Sequence, residues 1–205
     1  MLSYIKGNLE IKTNEYIIIE NAGIGYKIFM SKSAIVKAGN IGDKIQIFTY
    51  MRVREDDISL YGFLNNEELR LFELLLGVGG IGAKGALNIL SNITPSQFAI
   101  AIISDDVAIL KKVPGIGPKT AQRAILELKD KLKKQQEISI EDGEEITCTQ
   151  EIIRDDETVS EAISALQVLG YCKKEIVEAL KNVDLKDLSV EDIIRKGLAN
   201  LAKSI

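Results

Sequence analysis

Two short turns, Gly80-Ile81-Gly82-Ala83-Lys84 and Gly115-Ile116-Gly117-Pro118-Lys119-Thr120, stand 35 positions apart and share residue types suited to holding a phosphate. Glycine permits positive φ and lets a backbone approach a ligand closely. Each turn follows an apolar segment that reads as a helix, Leu71 to Leu76 before the first and Val107 to Leu110 before the second. Each opens another, Ala86 to Leu90 and Ala121 to Leu132. A helix start carries unsatisfied N–H groups and a partial positive charge, so backbone amides at each turn can hold an anion. Lys84 and Lys119 add a point charge beside it. Arg123 lies one turn after Lys119 on the same helix face; pairing with Glu127 at i+4 is the structural alternative. Contacts of this kind read backbone and not base identity. Two copies suit a polymer with phosphates at intervals, which means a nucleic acid bound without sequence preference and with strong salt dependence.

Other readings of the same residues fail on context. Gly77-Val78-Gly79-Gly80-Ile81-Gly82 matches G-x-G-x-x-G, but a dinucleotide site needs a preceding strand and an acid about 20 residues on. Here the preceding segment is helical and positions 97–103 hold no acid. A P-loop needs glycine directly before the lysine and Ser/Thr directly after, and neither Ala83-Lys84-Gly85 nor Pro118-Lys119-Thr120 complies. The chain has no histidine, which removes Ser-His and Cys-His catalysis and His metal sites together. Cys148 and Cys172 lack metal spacing and read as reduced thiols of a cytoplasmic protein. No catalytic residue, metal or cofactor is expected. The start of the chain, Met1 to Gly7, lacks the apolar core of a signal peptide.

Arg52-Val53-Arg54-Glu55-Asp56-Asp57 lies between two strand-like runs and reads as a loop tip. Such acids are commonly just solvated; beside a DNA path they would repel phosphates and part strands, while Arg52 and Arg54 attract the same phosphates. The net charge of −4 argues against a nucleic-acid partner until it is resolved by region. Residues 1–63 carry +1, 64–136 carry +3, 137–157 carry −8 and 158–205 carry 0. One segment supplies the whole acidic excess, and the glycine turns sit in the basic part.

The elements that position these residues follow from patterning. Residues 1–63 are rich in β-branched and aromatic residues between turn signals, which suits five short strands and one brief helix near Ser33 to Ala38 in a barrel of OB type, with a half-open sheet as the alternative. Residues 64–136 repeat apolar positions at helical spacing, and Thr94-Pro95-Ser96 marks a helix start. Residues 137–157 read as a flexible acidic linker. Residues 158–205 form three amphipathic stripes, capped at Thr158 or Ser160 and at Ser189, in a small module with a modest core and an exposed docking surface.

The ordered combination resembles the RuvA family, the Holliday-junction-binding subunits of bacterial branch-migration complexes. It rests on a β-rich start with Arg54-Glu55-Asp56-Asp57, then Leu60-Tyr61-Gly62-Phe63, two Gly-x-Gly hairpins, an acidic linker and Leu169-Gly170-Tyr171. The resemblance implies an α+β multidomain fold: an OB-type barrel, a central domain with two helix-hairpin-helix motifs and a small three-helix, UBA-like domain. It implies a non-catalytic, cytoplasmic subunit that binds four-way DNA in recombination, repair and the SOS response. By resemblance the hairpins 80–84 and 115–120, with Arg123 and Arg54, contact DNA. Glu55 and Asp56 match an acidic pin at the centre of a homotetramer, which pairs in some cases into an octamer. Leu169, Gly170 and Tyr171 match a loop near the contact with the RuvB ATPase, though Leu169 could equally be core, and RuvC is a further partner. In one respect the chain departs from the family: the first hairpin has Ala83 where proline often sits, and Gly79-Gly80 before it. That extra glycine should loosen the first turn, and Pro114 and Pro118 should make the second the better ordered.

Overall fold

In the computed structural model, which describes residues 2–141, 157–181, 183–185 and 188–202, the chain begins with five strands. These are β1 (Tyr4–Lys12), β2 (Tyr16–Asn21), β3 (Ile24–Met30), β4 (Lys44–Val53) and β5 (Ile58–Phe63). They close into a barrel in the order β1-β2-β3-β5-β4, with β4 returning to β1, so the half-open alternative does not apply. All pairings are antiparallel except β3 with β5. Period-two alternation turns Ile5 and Leu9 of β1, and Ile17 and Ile19 of β2, inward against Ile28, Met30 and Ile47. Closure leaves no unpaired sheet edge.

The brief helix α1 (Lys32–Lys37) follows β3, capped by the Ser31 hydroxyl, which accepts the Ala34 N–H at 3.2 Å. It also ties the barrel to the helical region. The Ser33 hydroxyl donates to the Leu90 carbonyl at 3.1 Å, and the Lys32 N–H donates to the Ser91 hydroxyl at 3.1 Å. A second seam is aromatic: Phe72 packs against Phe63 at 4.9 Å, Tyr61 at 5.3 Å and Tyr50 at 5.5 Å between ring centroids. Offset and edge-on ring contacts of this kind add to plain area burial.

The central helices are α2 (Asn66–Leu76), α3 (Ala83–Asn92), α4 (Pro95–Ile103), α5 (Val107–Lys111) and α6 (Pro118–Glu141). The expected start at Thr94 is a full capping box: the Thr94 hydroxyl accepts the Gln97 N–H, and the Gln97 side chain accepts the Thr94 N–H. Helix α6 runs to Glu141, past residue 136; the rest of the expected linker, 142–156, lies outside the described residues.

The C-terminal helices are α7 (Glu157–Val168), α8 (Lys173–Leu180) and α9 (Val190–Leu201). Because α7 already begins at Glu157, Thr158 and Ser160 are inside the helix and not its caps. Ser189 does cap α9, accepting the Asp192 N–H at 3.2 Å. These helices do not stand apart from the rest. Helix α7 packs on α4, and one buried cluster runs through both regions. The reason lies in α4, where Phe98, Ala99, Ala101 and Ile102 are all buried although they point in different directions. A helix apolar nearly all round needs cover on more than one side. Helices α2, α5 and α6 supply part of that cover; α7 and α9 supply the rest.

Candidate nucleic-acid interface

The two glycine turns have the same hydrogen bonds, offset by 35 residues. In the first, the N–H groups of Gly77, Val78 and Ile81 reach the carbonyls of Leu74, Leu75 and Val78 at 3.1 Å each. In the second, Lys112, Val113 and Ile116 reach Ile109, Leu110 and Val113 at 3.3, 3.1 and 3.1 Å. The next helix begins identically, with Ala86 N–H to Gly82 carbonyl and Ala121 N–H to Gly117 carbonyl, both 2.9 Å. Ile81 and Ile116 plug each turn into the core. Lys84 and Lys119 are exposed on the first turn of the following helix.

The glycines divide into two kinds. Gly80 and Gly115 have φ of +92° and +86°, where only glycine sits without strain, so the fold itself requires them. Gly82 and Gly117 do not have positive φ, and a Cβ on either would meet nothing within 4 Å. Gly82 has φ −94° and ψ 176°, open to any residue. Neither backbone conformation nor packing within the fold therefore calls for glycine at 82 or 117. No side chain caps α3, and Lys84 is exposed in its first turn. In the second turn Pro118 takes the first helical position, which gives up one N–H and fixes φ.

Arg123 realises the pairing left open by the sequence. Its Nε donates to Glu127 Oε1 at 2.5 Å. The guanidinium also lies against the first turn: a Cβ on Gly79 would come within 2.3 Å of the Arg123 Cζ. Glu127 Oε2 accepts the Gly79 N–H at 3.2 Å. The extra glycine thus makes room for Arg123, and the first turn is held from outside instead of being stiffened from within. Nothing in the sequence spacing alone links residue 79 to residues 123 and 127.

The Arg-Glu-Asp-Asp segment is the tip of the β4–β5 hairpin, above the pair Val53 and Ile58. The Arg54 N–H closes the loop on the Asp57 carbonyl at 2.8 Å. The Asp57 carboxylate accepts from the Ser59 hydroxyl and belongs to the loop's own structure. Glu55, Asp56 and Arg54 are exposed at the tip.

The triplet Leu169-Gly170-Tyr171 is placed differently from a docking loop. Leu169 and Tyr171 are buried, 2% and 3% exposed; only Gly170 is at the surface. Together they end α7 in a Schellman motif. Gly170, at φ +87°, donates to the Gln167 carbonyl at 2.9 Å, and Tyr171 donates to the Leu166 carbonyl at 3.3 Å. The Tyr171 ring lies 4.2 Å beneath the Arg70 guanidinium of α2, and Arg70 also donates to the Gly170 carbonyl at 3.4 Å. Burial raises the Tyr171 hydroxyl's pKa against the lowering effect of Arg70. Burial likewise raises Glu67, with the charge of Glu68 adding to it. In Glu68 burial outweighs the Leu64 N–H and Lys37, which act the other way. The same triplet residues therefore seat the C-terminal helices on the central ones.

Among the described residues, no three His, Cys, Asp or Glu side chains converge as a metal site, and no single helix is long and apolar enough to cross a membrane.

Comparison with known proteins matches all three regions. Residues 1–62 fit the family model of the RuvA N-terminal domain, 72–130 that of the SAM-like helix-hairpin-helix tandem, and 157–202 that of the RuvA C-terminal domain. The chain belongs to the RuvA family. A relative from Acetivibrio thermocellus, named Holliday junction branch migration complex subunit RuvA, is 48% identical over 99% of this chain and 100% of its own. Relatives of the same name from Ruminiclostridium cellulolyticum and Clostridium botulinum are 43% and 45% identical, over 98% and 99% of this chain and the whole of theirs. The barrel is therefore the family's OB-type domain, and the paired turns are its helix-hairpin-helix tandem.

Proposed function

We propose that this chain binds four-way DNA through its two glycine hairpins and works as the DNA-holding, non-catalytic subunit of a branch-migration complex. The observation that carries the reading is the pair Gly82 and Gly117: two equivalent glycines that the fold does not need, each facing open space beside helix amides and an exposed lysine. Phosphate fits that chemistry, and two such sites on one rigid domain fit successive phosphates of one DNA arm. Gly80 to Lys84 and Gly115 to Thr120 are the contacts, with Arg123 adding charge beside the first turn and Arg54 adding charge at the β4–β5 tip. Glu55 and Asp56, exposed on a closed turn, are the pin that keeps phosphates off the junction centre.

Assembly completes the site. Four copies around a junction bring eight hairpins to it, so weak contacts become strong through effective concentration. ATP hydrolysis belongs to a RuvB partner, a reading supported by the failure of both glycine turns to fit a P-loop; RuvC is the expected resolvase partner. The C-terminal helices are the surface for the motor. With Leu169 and Tyr171 buried, the motor meets either the outer faces of these helices or a module lifted off α4.

The test is native mass measurement of the full chain with and without a synthetic four-way junction, alongside incubation of the complex with Mg²⁺. A fourfold assembly on intact DNA is expected. Cleaved DNA, or junction affinity no higher than for linear duplex, overturns the reading.

A further inference from the structure

The 35-residue offset between the hairpins extends to side chains that neither turn contains. Position 79 plus 35 is 114, and position 88 plus 35 is 123. Arg123 of α6 lies on Gly79 of the first turn. Asn88 of α3, its counterpart, donates from Nδ2 to the Pro114 carbonyl of the second turn at 3.5 Å. Each hairpin's second helix thus reaches across to the opposite turn from the same relative position. The two arms of this cross-brace are unequal. The Asn88 contact is a single long hydrogen bond. The Arg123 arm is charged and two-pronged, because Glu127 holds Arg123 with one oxygen and the Gly79 N–H with the other.

We propose that Glu127 is a positioning residue for DNA binding: through Arg123 and the Gly79 N–H it locks the first turn to α6, so that both turns meet the DNA backbone as one rigid unit. This rests on the reading of the turns as phosphate sites. The first turn has no proline, so its shape depends on this external hold, whereas Pro114 and Pro118 fix the second from within. Electrostatics alone makes the opposite prediction. Glu127 is a carboxylate, its side chain 29% exposed, on the helix that carries Lys119. Deleting it would free Arg123 and make the face more positive, which by charge would tighten DNA binding.

The sign of the effect is therefore the test. Junction affinity is measured by fluorescence anisotropy for the full chain and for Glu127→Ala, Glu127→Gln, Gly79→Ala and Lys84→Ala, with folding checked by circular dichroism. Glu127→Ala is expected to bind about tenfold more weakly, the scale of one charge-assisted hydrogen bond. Glu127→Gln offers one acceptor oxygen in place of two and turns an N–H₂ donor toward the other donor, so it should recover no more than part of that loss. Gly79→Ala displaces the Arg123 guanidinium without touching Glu127, and should reproduce the loss even if Glu127→Ala folds poorly. In a Lys84→Ala background, where the first turn is already weakened, Glu127→Ala should cost markedly less than in the parent, since coupled residues do not add. Unchanged or tighter binding by Glu127→Ala, or an undiminished penalty in the Lys84→Ala background, overturns the proposal. A Lys84→Ala/Lys119→Ala chain that still binds like the parent overturns the phosphate reading itself, and the brace with it.

Discussion

The two hairpins share a backbone and differ in what keeps it in place. Both place a positive-φ glycine at the same step, bury the same isoleucine and expose the same lysine. The second is stiffened locally, by Pro114 and Pro118. The first has Gly79 and Ala83 at those positions, and Ala83 is buried where Pro118 is exposed. Its turn is braced by a helix residue 48 positions further on (127 minus 79). One geometry is thus reached by two routes: restricting the unfolded chain in one case, adding a tertiary contact in the other. A glycine that looks like looseness in the sequence is, in the fold, space for a guanidinium.

The sharpest way to break the comparison is to fill both approach spaces at once. Gly82→Asp with Gly117→Asp places a good N-cap residue at each helix start, and the structure has room for it. The thermal midpoint should hold or rise slightly, while junction affinity falls by about 100-fold or more, equivalent to about 2.7 kcal/mol. A titration showing unchanged affinity would remove the phosphate role from both turns. The single variants then rank the turns, and equal losses would mean that proline and brace are interchangeable.

Glu55→Lys with Asp56→Lys asks whether the hairpins act without the β4–β5 tip. Affinity for linear duplex should rise by about tenfold or less, and preference for the junction over duplex should drop by a larger factor. Competition binding measures both; equal shifts for the two DNAs would deny the tip a part in selectivity.

Pro118→Ala makes the second turn resemble the first without supplying a brace. Denaturant unfolding should show a loss of about 0.4–1 kcal/mol, with DNA affinity within a few-fold of the parent. No loss would mean that the second turn, too, is held from outside.

The smallest expected effect lies in the seam between α2 and the C-terminal helices. Glu67 is pushed above its ordinary value near 4.5, first by burial and then by Glu68. A carboxyl whose folded pKa is raised stabilises the fold while protonated, fully so below its unfolded value, and that contribution is lost as pH rises through the folded value. Glu67→Gln should therefore flatten the fall in thermal midpoint above pH about 4.5 and raise the midpoint slightly at neutral pH. A variant whose midpoint follows the parent's at every pH shows that the charge at Glu67 is immaterial to the seam.

Much of the molecule could be read directly from the chain. Turn signals and period-two runs gave the five strands, because local sterics and one-sided burial set them. The helix start at Thr94 and the glycine turns were equally plain, since their hydrogen bonds span only a few residues. Barrel closure, the packing of the last three helices on α4 and the role of Leu169-Gly170-Tyr171 were not. The triplet reads the same whether it faces a partner or ends a helix in the core; its placement depends on α2, 100 residues earlier in the chain (Arg70 to Gly170).

By itself the sequence determined the chemistry: where the backbone turns, where amides and lysines gather, and which acids sit on a loop tip. These are local properties of φ, charge and hydrogen-bonding capacity. Tertiary structure decided the relations between them. It separated the glycines required by the fold from those that face open space, set Glu127 on Gly79, and seated the last three helices on α4. Such contacts join residues far apart in the chain, and their worth depends on burial and mutual orientation, which no single segment carries.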